Sequence, residues 1–295
     1  MTTDRHEAPR QPVVPPAPST IDLHTHSTRS DGVLEPATLV ADAAAVGVRL
    51  LALTDHDTLA GVREIDSAAA IPDGLALVPG VEINTISPLG ASLAEGELHV
   101  LGLGVRTDDE AFEAVLARQR TGRRRRFERT VERLREIGLP VDAGAAELTS
   151  GPDDALGRPT IARLLVAAGH ATSVQDAFAR LIGHDGPGYV PRSGIGPTEA
   201  IAAIRAAGGL PVLAHFWEAS ERADVLRELM AAGLGGLEVY YRTWDAPTVL
   251  ATREVAAALG LVATGGSDYH GDTGTYAEAH ASLWVPPEVA AAIAT

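Results

Sequence analysis

The chain has 295 residues, 24 basic residues that are all arginine, 39 acidic residues and a net charge of −15. Ten histidines, no cysteine and 45% hydrophobic residues allow a sizeable core. They exclude global disorder, a disulfide scaffold, a thiolate zinc site and a cysteine nucleophile. Any metal must therefore be held by imidazole and carboxylate. The length suits one large α/β domain with an elaboration, or two ordinary domains. No apolar run approaches the roughly 18 residues of a membrane span. Residues 1–19 are Pro-rich and polar without the apolar segment of a secretory signal, so a disordered leader and a cytoplasmic location are expected. The acidic balance argues against general nucleic-acid affinity.

From Ile21 short apolar runs alternate with helical segments. Strands are predicted at 21–23, 50–53, 75–81, 99–103, 210–214, 236–239 and 261–264. Helices are predicted at 36–46, 197–207 and 247–259, with Pro36, Pro197 and Pro247 in first turns and Gly47, Gly208 and Gly260 as stops. Strands joined by helical crossovers predict a parallel β/α architecture. Between about 107 and 191 only helices are expected, at 108–137, 159–168 and 173–181. This stretch is predicted to be an inserted helical domain, interrupting a unit made of 20–106 and 192–295.

Acids and histidines gather at predicted strand ends. His24-Thr25-His26 follows the first strand, where residues i and i+2 share a side, so two imidazoles can grip one cation. Asp31 lies in a Ser-Asp-Gly turn, Thr54-Asp55-His56-Asp57 ends the second strand and Gly80-Val81-Glu82 the third. His99 opens the fourth, His215 closes the strand after the insertion, and Asp268 and His270 follow the last. Most of these are C-terminal ends, where parallel β/α folds bind ligands.

These motifs resemble the polymerase-and-histidinol-phosphatase (PHP) family of metal-dependent phosphoesterases. The match includes Asp22-Leu23-His24-Thr25-His26, Ser30-Asp31-Gly32, Thr54-Asp55-His56-Asp57, Gly80-Val81-Glu82, Ala214-His215 and Gly266-Ser267-Asp268-Tyr269-His270-Gly271. The insertion, through Gly157-Arg158-Pro159 and Gly188-Tyr189-Val190-Pro191-Arg192, is similar to the branch of 3′,5′-nucleoside bisphosphate phosphatases and a related 5′→3′ exoribonuclease. The resemblance implies an α/β fold, a distorted (β/α)7 barrel. It also implies up to three divalent cations: one on His24, His26, Glu82 and Asp268, a second on Glu82, His99 and His215, a third on Asp31, His56 and His270. A sulfur-free donor set suits Mn²⁺, Fe²⁺ or Zn²⁺ without choosing among them; Mn²⁺ is the first expectation.

Three divalent cations against the three ligand carboxylates leave a formal charge of about +3 before substrate enters, which selects an anion such as a phosphate ester. The expected chemistry is hydrolysis by a metal-bound hydroxide. Asp55 and Asp57 are candidates for protonating the leaving group, or for a turn or support role behind His56. Residues 118–135 hold nine arginines against Glu128 and Glu132, a local +7 that leaves −22 on the rest. At helical spacing Arg120 and Arg123 fall near the apolar stripe, Arg125 and Arg129 opposite it. Arginine forks bind phosphate oxygens bidentately, so Arg120, Arg123, Arg158 and Arg192, with Tyr189, are candidate substrate residues; a solvated, salt-bridged helix face is the alternative for the run as a whole.

Few aromatics interleave with these arginines, which favours a small nucleotide or short oligonucleotide over long nucleic acid. The family pattern is departed from at Arg29, Thr160 and Phe216-Trp217, near the expected substrate pocket; Trp217 is expected to pack rather than stack on a base. His6, His170, His184 and His280 receive no role. The competing functions are a phosphatase for another small ester, such as histidinol phosphate, and a non-catalytic binding module.

Overall fold

The computed structural model describes residues 18–87, 97–142, 144, 151, 154–271 and 274–293. Almost all of the leader expected at 1–19 lies outside them. In chain order the elements are β1 (Ile21–Asp22), α1 (Pro36–Ala45), β2 (Leu50–Leu53), α2 (Ala60–Ala68), β3 (Ala76–Ile86), β4 (Glu97–Leu103) and α3 (Glu110–Glu136). Next come α4 (Arg158–Ala167), α5 (Val174–Ala177), a π-helical turn (Phe178–Ile182), α6 (Pro197–Ala206), β5 (Leu210–Leu213) and a 3₁₀ turn (Trp217–Ser220). The chain finishes with α7 (Ala223–Ala231), β6 (Gly236–Tyr241), α8 (Ala246–Leu259), β7 (Val262–Gly266), α9 (Tyr276–His280) and α10 (Val289–Ile293).

Seven strands form one sheet in the order β1-β2-β3-β4-β5-β6-β7. All pairs are parallel except those of β4, which runs antiparallel to both β3 and β5. The all-parallel expectation is corrected at this strand. A parallel return needs a crossover of about a dozen residues or more, and residues 87–96 are too few. The two strands instead pair directly over Gly80↔Leu103 to Ile86↔Glu97.

The sheet nearly closes on itself. Leu23 N–H donates to Gly265 at 3.1 Å, Asp268 N–H to His24 at 2.7 Å and His26 N–H to Tyr269 at 3.1 Å. At this seam a Cβ on Gly266 would sit 2.5 Å from the His24 nitrogen, so only glycine lets the first and last strands approach this closely. The result is an α/β barrel-like sheet that brings the ends of β1 and β7 side by side.

Leu23, Val81, Ile83, Leu101, Ile201 and Val239 belong to the main core. Each such fully buried aliphatic side chain contributes about 1.5–3 kcal/mol. A second cluster joins α1 and α2 to β2. A third is made within the insertion by Phe127, Val131, Leu134, Ile161, Leu165 and Ile182. Helix α3 ties the first and third together: Phe112 and Leu116 enter the barrel core, Phe127 and Leu134 the insertion. It starts where Asp109 accepts from the Phe112 N–H at 2.9 Å, a side-chain N-cap, and runs unbroken through Thr121-Gly122. Among the described residues no helix is long and apolar enough to cross a membrane.

Candidate metal centre

Alternation along the extended chain after β1 sends His24 and His26 inward, both fully buried, while the Thr25 hydroxyl donates to Ala52 at 2.8 Å on the other side. The neighbouring strand ends supply the rest. His56 follows β2, Glu82 lies within β3, His99 within β4, His215 follows β5, and Asp268 and His270 follow β7. Three groups result, in each of which the donor atoms lie within 4.8 Å of one another: His24, His26, Glu82 and Asp268; Glu82, His99 and His215; and His26, Asp31, His56 and His270. All nine sequence-nominated ligands are brought together, with Glu82 shared by two groups. The structure also adds His26 to the third.

The donor atoms face one another rather than separate partners. Nε2 of His24 and of His26 each stand 3.2 Å from Asp268, and 3.3 and 3.2 Å from Glu82. Yet His24 Nε2, His26 Nε2, His56 Nδ1, Asp31 Oδ1 and Asp268 Oδ1 are buried with no hydrogen-bond partner. Orphaned buried polar atoms are costly, and five of them converging in one place fit a cation as the missing partner. The imidazole and carboxylate donors suit Mn²⁺, Fe²⁺ or Zn²⁺.

Burial works against charge on Glu82, but His56, His24 and His99 hold its carboxyl well below the ordinary value. Asp31 is held low against burial by His56 and His270, and Asp268 by His24 and His270. Glu82 and Glu97 outweigh burial at His99 and push its imidazole up to about 9. Burial prevails at His56, drawing it down to about 4. These carboxylates are thus anionic and available as ligands. Asp57, His215 and Asp268 all have positive φ, at 52°, 32° and 48°, a conformation costly for residues with a Cβ and frequent at functional sites.

Behind the candidate ligands stands a supporting layer in which Glu238 and Tyr241 are not among the sequence candidates. Glu238, wholly buried on β6, accepts from His24 Nδ1 at 3.1 Å and from the His215 N–H at 2.7 Å. Accepting from Nδ1 leaves the His24 Nε2 lone pair for a cation. The Tyr241 hydroxyl donates to Asp268 at 2.8 Å. The signal for Glu238 was an acid inside the apolar run Gly236-Leu237-Glu238-Val239. Asp55 accepts from the Ser27 N–H at 2.8 Å and from the Ser27 and Ser30 hydroxyls at 2.6 Å each. These bonds tie its carboxylate to the turn leading to Asp31.

Arginines stand on the β3–β4 side of the ligands. Arg123, Arg158 and Arg192 line, together with metal-group residues, a single cavity of about 170 Å³. Glu97, the first residue of β4, faces Arg192 at 3.3 Å, Arg126 at 3.4 Å and Arg158 at 3.9 Å. Arg123 bonds Asp57 at 2.5 Å and also donates to Asn84. Burial and the neighbouring Arg123 lower Arg192 to about 10, which marks crowded positive charge. Arg126 stacks over Tyr189 at 5.6 Å and Arg158 over Phe178 at 5.5 Å. Arg126, Asn84 and Glu97 were not anticipated.

Other expectations fare differently. Arg120 does not line this cavity: it donates to the Asp57 carbonyl at 3.1 Å and to Glu113 at 2.5 Å, and borders a separate groove with Arg124 and Arg125. Tyr189 lies under Arg126 and is not among the cavity-lining residues. Arg29 is held by Glu64 and Glu35 at 2.8 and 2.7 Å. Trp217 is 53% exposed, so the expected packing role is corrected; the 3₁₀ turn that carries it leaves the indole in solvent. His280 is buried against Tyr276.

Comparison with known proteins agrees with this geometry. The PHP domain profile matches residues 22–132. The chain is 35% identical to the 5′-3′ exoribonuclease Rnm of Salmonella typhimurium, over 91% of this chain and 90% of that one. It is 32% identical to a 3′,5′-nucleoside bisphosphate phosphatase of Chromobacterium violaceum, over 85% and 87%. A crystal structure from Bifidobacterium adolescentis, of a protein assigned to the metal-dependent phosphoesterases, superposes with a TM-score of 0.81 at 32% identity, covering 95% and 96%. Histidines and carboxylates converging at the strand ends of a seven-stranded barrel, and relatives aligned over nearly the whole chain, place this protein in the PHP family of metal-dependent phosphoesterases.

Proposed function

We propose that the protein removes phosphate from nucleoside 3′,5′-bisphosphates and cleaves short RNA from its 5′ end, with residues 107–191 serving as a substrate-recognition insertion. The observation that carries this is the shared cavity: potential cation ligands and three arginines, Arg123 buried and Arg158 and Arg192 partly so, line the same small space. Substrates with two phosphates spaced by one ribose suit such a pairing, one phosphate at the ligand groups and the other on the guanidinium forks. The relatives named as a 5′-3′ exoribonuclease and as a 3′,5′-nucleoside bisphosphate phosphatase support the same two substrate classes.

His24, His26, Asp31, His56, Glu82, His99, His215, Asp268 and His270 would hold the cations, Mn²⁺ first among them. Bound there, divalent cations supply Lewis-acid charge to the phosphoryl oxygens and make water a stronger nucleophile near neutral pH. The chain's own groups position the substrate. Arg158 and Arg192 grip the second phosphate, which displaces Glu97 from their donors. Asp57 holds Arg123 against the ligand groups, and Asp55 fixes the turn that presents Asp31. Hydrolysis joins a water oxygen to phosphorus and breaks the bond to the 3′ oxygen, which leaves with a proton.

The test is a panel of adenosine 3′,5′-bisphosphate, a 5′-phosphorylated oligonucleotide, histidinol phosphate and an aryl phosphate. Hydrolysis favouring the first two is expected; preference for histidinol phosphate would contradict the proposal. Arg158→Ala should raise KM for the bisphosphate about tenfold or more, the scale of one charge-assisted hydrogen-bonded contact, and leave KM for the aryl phosphate much less affected. Equal increases on both would refute a second-phosphate site.

A further inference from the structure

Composition gave no sign of a stacking surface, yet the fold assembles one. Tyr240, Tyr241, Trp244 and Trp284, which include two of the three tryptophans and two of the five tyrosines of the chain, line a second cavity of about 140 Å³ with Leu250 and Arg253. They come from the end of β6, the turn after it, and the segment following α9, so no local run of sequence contains them. Tyr240 and Trp284 meet edge to face at 5.6 Å, and Tyr241 and Trp244 are tilted at 5.4 Å. Leu250 beside them is 46% exposed, an apolar group left in solvent.

Tyr241 belongs to both sites. Its hydroxyl bonds the ligand Asp268 and its ring lies 5.9 Å from that of His215. The aromatic cavity therefore adjoins the metal groups from the β6 side, whereas the arginines stand on the β3–β4 side. A substrate whose 5′ phosphate sits on the arginines and whose next phosphate sits at the metal groups must continue beyond them, and the cavity offers aromatic faces and a cation there.

Resting on the nucleotide function proposed above, we infer that this cavity takes the nucleobase of the second nucleotide, the one that keeps the phosphate attacked at the metal groups. A nucleoside 3′,5′-bisphosphate has nothing to place in it; a 5′-phosphorylated oligonucleotide does. The cavity thus favours phosphodiesters of short RNA over bisphosphate monoesters, without regard to sequence, because every base has a stackable face. Arg253 adds positive charge where the following backbone would pass.

The experiment compares kcat/KM for a 5′-phosphorylated trinucleotide with that for adenosine 3′,5′-bisphosphate, in the wild-type protein, Trp244→Ala and Trp244→Phe. Removing a stacking face should lower the trinucleotide-to-bisphosphate ratio about tenfold, and Trp244→Phe should restore most of it. A parallel readout is quenching of tryptophan fluorescence by a phosphorothioate trinucleotide, expected with wild-type protein and diminished in Trp244→Ala. A ratio unchanged by Trp244→Ala, whether both activities fall or neither does, overturns the base site while leaving the proposed function standing. A wild-type protein that hydrolyses neither substrate overturns the proposed function itself.

Discussion

Glu82→Gln is expected to reduce hydrolysis of every phosphate ester by about a thousandfold, because a metal ion's charge stabilisation is worth several kcal/mol and about 1.4 kcal/mol corresponds to a factor of ten. Glu82 is the side chain on which the centre depends most. It is buried at the middle of β3 and lies within 3.3 Å of donor nitrogens on His24, His26, His56, His99 and His215. Those five imidazoles come from four separate strand ends. Gln keeps the shape and hydrogen-bonding capacity of the side chain but removes the anion shared by two ligand groups. The loss should appear in kcat on the aryl phosphate as well as on nucleotides, and metal content should fall with it. Retention of full activity by a folded Glu82→Gln protein would rule out a shared ligand at this position.

The second large effect concerns stability. Arg123 and Asp57 form an ion pair at 2.5 Å with side chains 4% and 0% exposed. Burial opposes the charge on Arg123, but Asp57 and Asp31 raise its pKa above the ordinary value. Removing one partner of a buried pair strands the other charge and costs about 3–5 kcal/mol. Arg123→Met should therefore lower the unfolding free energy by about that amount in denaturant titration. Adding Asp57→Asn should recover a large part of it, because the stranded anion is gone. If Arg123→Met alone is as stable as the wild type, the pair is not what fastens α3 to the barrel.

The sequence carried the candidate ligands that the fold brings together, because strand ends in a β/α barrel sit where short motifs can be seen. His24 and His26 are two residues apart on an extended chain, and Asp268 and His270 repeat that spacing after β7. The direction of β4 was not legible, since an apolar run such as Leu98-His99-Val100-Leu101 reads alike in either orientation. Only the shortness of the connection to β3 held the answer. On α3 the 100° rotation per residue correctly put Arg123 inside and Arg125 and Arg129 outside. It could not tell that Arg120 would be taken by Glu113, because that pairing depends on the exact rotamers of two flexible chains.

Groups that act through others were the hardest to find. Glu238 sits alone in its strand, and its importance comes from the imidazole that happens to lie 3.1 Å away across the barrel. Tyr241 and Trp284 are forty-three positions apart, so the aromatic cavity they share is a product of tertiary structure only. The same holds for Glu97, whose surroundings of Arg126, Arg158 and Arg192 are assembled from three distant segments.

Metal analysis of protein reconstituted with Mn²⁺ and freed of excess ion, with phosphate release assayed on the same sample, tests the metal centre most directly. About three equivalents per chain are expected, one for each ligand group, with activity lost on chelation and regained on returning the metal. Less than one equivalent in protein that still hydrolyses phosphate esters would contradict it.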